Sequence, residues 1–374
     1  LIRVFFWAWF IEWLVYIAEV VFIMIYYLTW TRMRDKKTAH IAVGAVLSLF
    51  SWVTMAIITA ILGFMMDPGS WTARESFISG VFNPIYLPQL AFRTPVAMVA
   101  AGFLALFLAF FFTRRDRELR GQAVRMLSLW SLAWLPAAAA GALWYWRVIP
   151  RWMADNLPIA LGTQRFASWH DQLLVVLAVM AATVLVAAVL GTLLPKRVPT
   201  VAMLVPFAVT LVLLGSFERV REFIRKPYVI GDYMYANGLR VADYPLYTEE
   251  GVLRHVTYTR VREVTEDNGV EAGTEVFRLA CTRCHTATGI NSVTDRLRDL
   301  YGNGDWDRDT VKYYLLGMHT ARPFMPPFPG SEREAGALAD YLLDLRAVRR
   351  PVIGAQDAGV VIPVEPAPLA EGGV

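Results

Sequence analysis

The sequence Cys281-Thr282-Arg283-Cys284-His285 contains both cysteines of the chain and places a histidine directly after the second one. Two thiols at this spacing can bond two vinyl groups on one edge of a porphyrin, and the adjoining imidazole is then placed to bind the iron. A redox-active Cys-x-x-Cys needs no histidine there, and a zinc site would need further cysteines or histidines. The pentapeptide therefore predicts one covalent haem c, bound by Cys281, Cys284 and His285, with His285 as an iron ligand.

A second iron ligand is expected in the sequence Phe324-Met325-Pro326-Pro327-Phe328. Two prolines after a methionine stiffen a loop, which can hold a weak thioether ligand close to the iron. Met325 is therefore the predicted second ligand, with Met318 and His319 as alternatives whose other explanation is ordinary pocket lining. Ligation by one methionine and one histidine raises the reduction potential, which favours an electron carrier over a gas-binding site.

The segment around these residues resembles a class I cytochrome c. Residues 271–281 show helical apolar spacing and end at the cysteines, and Ser331-Glu332-Arg333-Glu334 is a candidate capping box that opens a last helix to about residue 345. The resemblance covers residues 270–347 and implies that the first and last helices cross and that His285 and Met325 are the axial ligands.

The rest of the composition indicates a membrane protein. Hydrophobic residues make up 56% of the chain, the mean hydropathy is +0.42, and 13 Trp and 21 Phe are present. The net charge of +4 is mild and requires no nucleic-acid partner. Six apolar runs are long enough to cross a bilayer. They are Val4–Trp30, Ile41–Met66, Phe92–Phe112, Met126–Trp146, Leu173–Leu194 and Val201–Phe217.

The charges between these runs predict their orientation. Basic clusters lie at 31–37, 114–120 and 195–197, so the positive-inside rule makes those loops cytoplasmic. The longer loops 67–91 and 147–170 then face the periplasm, and the haem motif follows a sixth span that ends on the same side. This agrees with haem c attachment outside the cytoplasm. The expected location is a bacterial inner membrane, with the haem domain in the periplasm.

The predicted fold class is all-α. A six-helix transmembrane bundle (1–217) precedes a periplasmic connector (218–268) with a short strand near 256–261. A small α-helical cytochrome c domain (269–348) follows, and then an extended tail (349–374) rich in Pro, Gly and Ala.

Ionisable residues in the predicted spans are candidate membrane sites. Glu12 and Glu19 are two helical turns apart and share a face, and a carboxylate at membrane depth indicates a proton site or a haem b site. The alternative is a buried pair with polar partners. Arg93 could pair with haem propionates or reach the lipid interface. His40 and His170 lie near opposite membrane faces, so they cannot share one haem.

Several stretches of the first 110 residues resemble the large subunit of cytochrome bd quinol oxidases. They are Ile11-Glu12-Trp13 through Glu19, Gly63-Phe64-Met65-Met66-Asp67-Pro68, Phe82-Asn83-Pro84 and Leu90-Ala91-Phe92-Arg93-Thr94. The resemblance is best to shortened bd-like subunits that carry a C-terminal cytochrome c. It implies a high-spin haem at Glu12 and proton traffic through Glu19. Phe92-Arg93 stands where that family has its low-spin haem histidine, and in such proteins one or two further helices with a haem histidine precede the position of Arg3.

Three functions follow from these predictions. The first is an electron-transfer subunit of a respiratory complex, which passes electrons between membrane quinol or haem b and a periplasmic carrier. The second is a bd-type terminal oxidase subunit that reduces oxygen. The third is a non-catalytic membrane anchor for the cytochrome. Glu12 and Glu19 disfavour the anchor, and the few membrane histidines disfavour a self-contained oxidase, so the first is preferred.

Overall fold

The computed structural model describes residues 2–113, 115–161, 170–199, 204–289 and 291–348. Its internal contacts divide the chain into two units. Unit 1 comprises Leu1–Ala242 with Arg322–Pro326, and unit 2 comprises Asp243–Ala321 with Pro327–Val374. The predicted connector is shared between the units, and the predicted tail 349–374 lies outside the described residues. The four-part division therefore stays a prediction.

Unit 1 is built of long apolar helices joined by short ones. In the described residues it contains α1 Ile2–Thr29, α2 Lys37–Met66, α3 Trp71–Arg74, α4 Phe77–Val81, α5 Tyr86–Phe112, α6 Arg117–Val148, α7 Arg151–Asp155, α8 Leu157–Leu161, α9 His170–Leu193 and α10 Leu204–Ile224.

Five of these helices are long and apolar enough to cross a membrane: α1, α2, α5, α6 and α9. The chain is thus a multi-pass membrane protein, as its composition predicted. The expected sixth span coincides with α10, but Glu218, Arg219, Arg221 and Glu222 lie in its last two turns. The expected start at Val201 lies outside the described residues, so a sixth crossing stays a prediction.

The helices of unit 1 pack mainly on neighbours in the chain. The most extensive pairing joins α5 and α6, and α10 packs on both α5 and α9, whereas α1 packs chiefly on α2. Gly141 explains how closely α5 and α6 approach, since a Cβ there would overlap the carbonyl of Ala91 and the Cα of Phe92. A side chain at this position would push the two helices apart.

The strand prediction near 256–261 was wrong. The two strands in the described residues are β1 Tyr228–Ile230 and β2 Met234–Tyr235, which form an antiparallel pair in unit 1. Residues 256–261 instead form an irregular loop, because the guanidinium of Arg262 donates hydrogen bonds to the carbonyls of Arg254, Val256 and Thr257. Those carbonyls are bonded without a partner strand.

Unit 2 is a small helical domain. A 3-10 turn at Val241–Asp243 leads into it from unit 1. In the described residues it contains α11 Tyr244–Glu250, α12 Val252–His255, α13 Gly269–Ala280, α14 Val293–Tyr301, α15 Arg308–Ala321 and α16 Glu332–Val348. Its central packing joins α13 and α16, the first and last helices of the predicted cytochrome. Gly273 sits at this contact, where a Cβ would overlap the carbonyl oxygen of Ala337. The core contains Val276, Phe277, Leu297, Trp306, Val311, Leu338 and Leu342, among others.

The predicted capping box at Ser331 is confirmed. The Ser331 hydroxyl accepts a hydrogen bond from the Glu334 amide at 3.4 Å, and a Glu334 carboxylate oxygen accepts one from the Ser331 amide at 2.9 Å. The same carboxylate also accepts hydrogen bonds from the amides of Val252 and Leu253, both at 2.9 Å. Glu334 is 3% exposed, so three backbone donors satisfy a buried carboxylate. This contact fixes the start of α12 to the start of α16.

Candidate haem site and membrane carboxylates

The Cys281–His285 motif forms the helical turn that ends α13. The amides of Cys284 and His285 both donate to the Cys281 carbonyl, at 3.1 and 2.8 Å. The two cysteines lie on the same side of this helical turn, because they are three residues apart. Both are free thiols; Cys281 is partly buried against the core of unit 2, whereas Cys284 is exposed. The turn therefore presents two thiols and an imidazole from five consecutive residues.

This donor set fits a covalent haem. Burial raises the pKa of the Cys281 thiol to about 12, so Cys281 is held as a neutral thiol inside the domain. Thioether formation adds each S–H group across a vinyl double bond, so it requires two thiols that are not joined in a disulfide, as Cys281 and Cys284 are. In the described residues, no group of three or more His, Cys, Asp or Glu could hold a metal ion. The two free thiols and the adjoining imidazole of the motif suit a porphyrin-borne iron.

The segment after the motif is held by polar side chains that sequence reasoning missed. The Asn291 amide donates to the Cys284 carbonyl, and the Val293 amide donates to the Thr286 carbonyl at 2.8 Å. Ser292 is 1% exposed, caps α14 and donates to the Ala287 carbonyl at 3.1 Å. These contacts fix the backbone on the carboxyl side of His285. A Ser before an Asp-containing helix is a capping signal that could have found Ser292.

The candidate second ligands lie in different parts of the chain. Met325 belongs to the Arg322–Pro326 segment of unit 1, where its amide donates to the Arg322 carbonyl at 2.8 Å. Met318 and His319 lie on α15 of unit 2, and Met318 packs against the core cluster. Core packing is the alternative explanation that the sequence offered for Met318. Ligation by Met325 stays a prediction.

The comparison with protein families concerns this part of the chain. Residues 268–342 match the family described as "Cytochrome C oxidase, cbb3-type, subunit III". This segment is a c-type cytochrome domain. The match implies covalent haem c and redox partners in a membrane respiratory complex. No curated protein and no solved structure matches the chain.

The family match covers about a fifth of the chain and does not reach the helices of unit 1. The resemblance of residues 1–110 to the bd oxidases therefore stays a prediction, and so do haem b and quinol as its cofactor and substrate.

Glu19 is the better defined of the two membrane carboxylates. It lies on the side of α1 that faces α2, where the Ser51 hydroxyl donates to its Oε1 at 2.6 Å and the Thr54 hydroxyl donates to its Oε2 at 3.4 Å. Glu12 lies two turns away on the same half-buried side of α1, roughly 10 Å along the axis. In the described residues Glu12 has no hydrogen bond or ion pair. The two carboxylates therefore share a face, as predicted, but only Glu19 has polar partners from α2.

Arg93 forms an ion pair that the sequence did not reveal. Its Nη2 lies 2.6 Å from Oε1 of Glu218 on α10, and the other oxygen of Glu218 lies 2.8 Å from Nε of Arg221. The Nε of Arg93 is buried and has no hydrogen-bond partner among the described residues. Arg93 thus links α5 to α10, and its predicted pairing with haem propionates stays untested.

The two membrane histidines are placed on separate helices. His40 lies on α2, where its ring stacks on Tyr26 at 4.2 Å and meets the edge of Trp30 at 5.2 Å. Its Nδ1 is 3.5 Å from the Thr29 hydroxyl. His170 begins α9, and its side chain lies outside the described residues. His40 is therefore packed in an aromatic box between α1 and α2.

Proposed function

We propose that the chain is a membrane-bound c-type cytochrome subunit of a respiratory complex, which passes electrons between membrane quinol or haem b and a periplasmic carrier. The observation that carries the proposal is the turn of Cys281, Cys284 and His285 within a cytochrome c domain that follows apolar spanning helices. Such a protein holds a redox centre at the membrane surface, where a membrane donor and a soluble carrier can both reach it.

The residues of the haem domain have separate tasks in this proposal. Cys281 and Cys284 would hold the haem covalently, and His285 and Met325 are the residues that would bind its iron. A haem ligated in this way supplies one-electron transfer without binding a further ligand. Ser292 and Asn291 hold the backbone next to His285, so they would fix the position of its imidazole as an iron ligand.

The membrane helices supply the proton chemistry that quinol oxidation requires. Oxidation of a quinol to a quinone releases two electrons and two protons. Glu19, with two hydroxyl groups in reach, is a suitable proton acceptor between α1 and α2, and Glu12 on the same face would extend the path along the helix. The placement of Glu19 favours a membrane part that does more than anchor the cytochrome.

A pyridine haemochrome spectrum of the purified protein separates the three functions. Haem c together with haem b is the expected result for an electron-transfer subunit. A spectrum with haem c alone would support the non-catalytic membrane anchor. A d-type band would favour the oxygen-reducing oxidase. A chain without haem c would contradict all three.

The role of Glu19 has its own test. We expect Glu19→Gln to lower quinol-dependent reduction of haem c by about 10²-fold, the usual contribution of a positioned acid–base group, while the haem c spectrum is unchanged. Glu118→Gln is the matched control, because Glu118 is exposed and pairs with Lys196 at 2.7 Å. Equal rates in both variants would remove Glu19 from the proton path.

A further inference from the structure

An open groove of about 460 Å³ lies on unit 2 beside the haem motif. It runs between the loop 257–260 and the last turns of α13, and it is lined by Tyr258, Arg260, Glu275, Arg278 and Leu279, with Thr257 and Thr259. The Arg278 carbonyl accepts a hydrogen bond from Thr282 inside the motif at 2.6 Å. One wall of the groove is therefore continuous with the turn that carries the cysteines.

The loop that forms the other wall is fixed in position. Arg262 donates to the carbonyls of Arg254, Val256 and Thr257, and the Thr259 hydroxyl donates to the Val261 carbonyl at 2.9 Å. This held loop leaves Tyr258 92% exposed at its tip. An exposed aromatic side chain on a rigid loop is suited to protein contacts, because little conformational entropy is lost when a partner covers it.

The charges around the groove are mainly positive. Arg260 and Arg283 are exposed and have no carboxylate partner among the described residues. Arg278 is 58% exposed, whereas its partner Glu275 is 8% exposed, so the cation of this pair faces the solvent. Residues 243–348 as a whole carry 17 acidic and 12 basic side chains. The groove is thus a basic patch on an acidic domain.

We propose that this groove docks the acidic face of a soluble extracytoplasmic electron-carrier protein. The inference rests on the proposed function, and it names the kind of carrier that the haem domain selects. Arg260 and Arg278 would pair with carboxylates of the carrier, Tyr258 would pack against its surface, and the acidic remainder of the domain would repel other orientations. A carrier seated there would lie next to the turn of Cys281, Cys284 and His285, which would hold the haem.

The test measures binding of two purified monohaem cytochromes c, one acidic and one basic, to the full-length protein in detergent. We expect the acidic cytochrome to bind more tightly at low salt and its Kd to rise with ionic strength. Arg260→Glu should raise this Kd about tenfold, as expected for the loss of one close charge pair, and Tyr258→Ala should raise it less. Arg333→Glu is the matched control, since Arg333 is exposed on α16 outside the groove and undergoes the same charge change.

Three results would overturn the proposal. The first is an equal effect of Arg260→Glu and Arg333→Glu on the Kd, and the second is tighter binding of the basic cytochrome. The third is loss of binding to phosphatidylglycerol vesicles in Arg260→Glu with no change for the acidic cytochrome, which would make the groove a lipid site. The haem c spectrum of each variant is recorded alongside. Its absence in the unmodified protein would contradict the proposed function, whatever the Kd.

Discussion

At the scale of single residues, motif spacing predicted covalent chemistry better than it predicted contacts. The haem motif lies within five residues, so its spacing alone defines the site formed by Cys281, Cys284 and His285. The family match supports the haem. The partner of Arg93 is Glu218, which is 125 residues away, so no local pattern could have indicated it. Glu334 was expected in a capping box, but its bonds to Val252 and Leu253 depend on the folded domain.

The ligand assignment is tested by Met325→Ala. We expect this change to remove the weak sulfur-to-iron charge-transfer band of the oxidised protein and to lower the reduction potential, because a thioether ligand favours the reduced iron. Absorption spectroscopy and redox titration measure both quantities. Met318→Ala is the control, since Met318 is partly buried against the core of unit 2 and its loss should affect stability instead. If the band survives in Met325→Ala and disappears in Met318→Ala, the assignment is reversed.

The buried carboxylate of Glu334 is tested by Glu334→Gln. The neutral amide offers one acceptor oxygen and turns its NH₂ group towards backbone donors. We therefore expect the free energy of unfolding of the haem domain to fall by about 3 kcal/mol. Urea denaturation followed by haem absorbance measures the change. Glu332→Gln is the neighbouring control: its carboxylate is 78% exposed, so its 3.3 Å pair with Lys312 contributes little. Similar midpoints for both variants would contradict the prediction.

At the scale of elements, long periodic helices were predictable and short strands were not. The apolar runs located five spanning helices, although α5 begins at Tyr86 instead of the expected Phe92 and so includes Pro88 in its first turn, where proline is tolerated. The strand pair Tyr228–Ile230 and Met234–Tyr235 depends on pairing across a tight turn. The strand predicted near 256–261 does not form, because Arg262 donates hydrogen bonds to the carbonyls of Val256 and Thr257, which a partner strand would otherwise have bonded.

The crossing of α13 and α16 is tested by Gly273→Ala. The added Cβ meets the backbone of Ala337, which cannot rotate away, so we expect a loss of stability of about 1–3 kcal/mol and a lower yield of haem-loaded protein. Gly317→Ala is the matched control on α15, where a Cβ has no neighbour within 4 Å. It should stabilise the helix by up to about 1 kcal/mol. An unfolding temperature that rises in both variants would show that the crossing tolerates a side chain.

At the scale of the whole molecule, composition and charge decide the membrane character but leave the count of crossings open. Five helices satisfy the length and hydropathy of a span. If α10 also crosses the membrane, the haem domain follows an even number of crossings; if it does not, the number is odd. The basic loops predict six and a periplasmic haem domain, because a haem c is attached outside the cytoplasm.

The orientation is tested with single introduced cysteines and a maleimide that cannot cross the membrane. In spheroplasts we expect Glu249→Cys in unit 2 to be labelled, and Arg115→Cys in a basic loop to be labelled only after the membrane is opened. The haem-bound cysteines do not react, so each variant reports one position. Labelling of Arg115→Cys in intact spheroplasts would contradict the predicted topology, because it would place this basic loop outside the cytoplasm.

The contact between Glu334 and the amides of Val252 and Leu253 has a consequence for the order of synthesis. The carboxylate emerges from the ribosome some 80 residues after the two amides that it binds. Until α16 has been made, those donors have no protein acceptor, and the first part of unit 2 cannot close. The cysteines of the motif are made between these two events. The growing chain therefore passes through a stage in which both thiols have been made and the acceptor for these two amides has not.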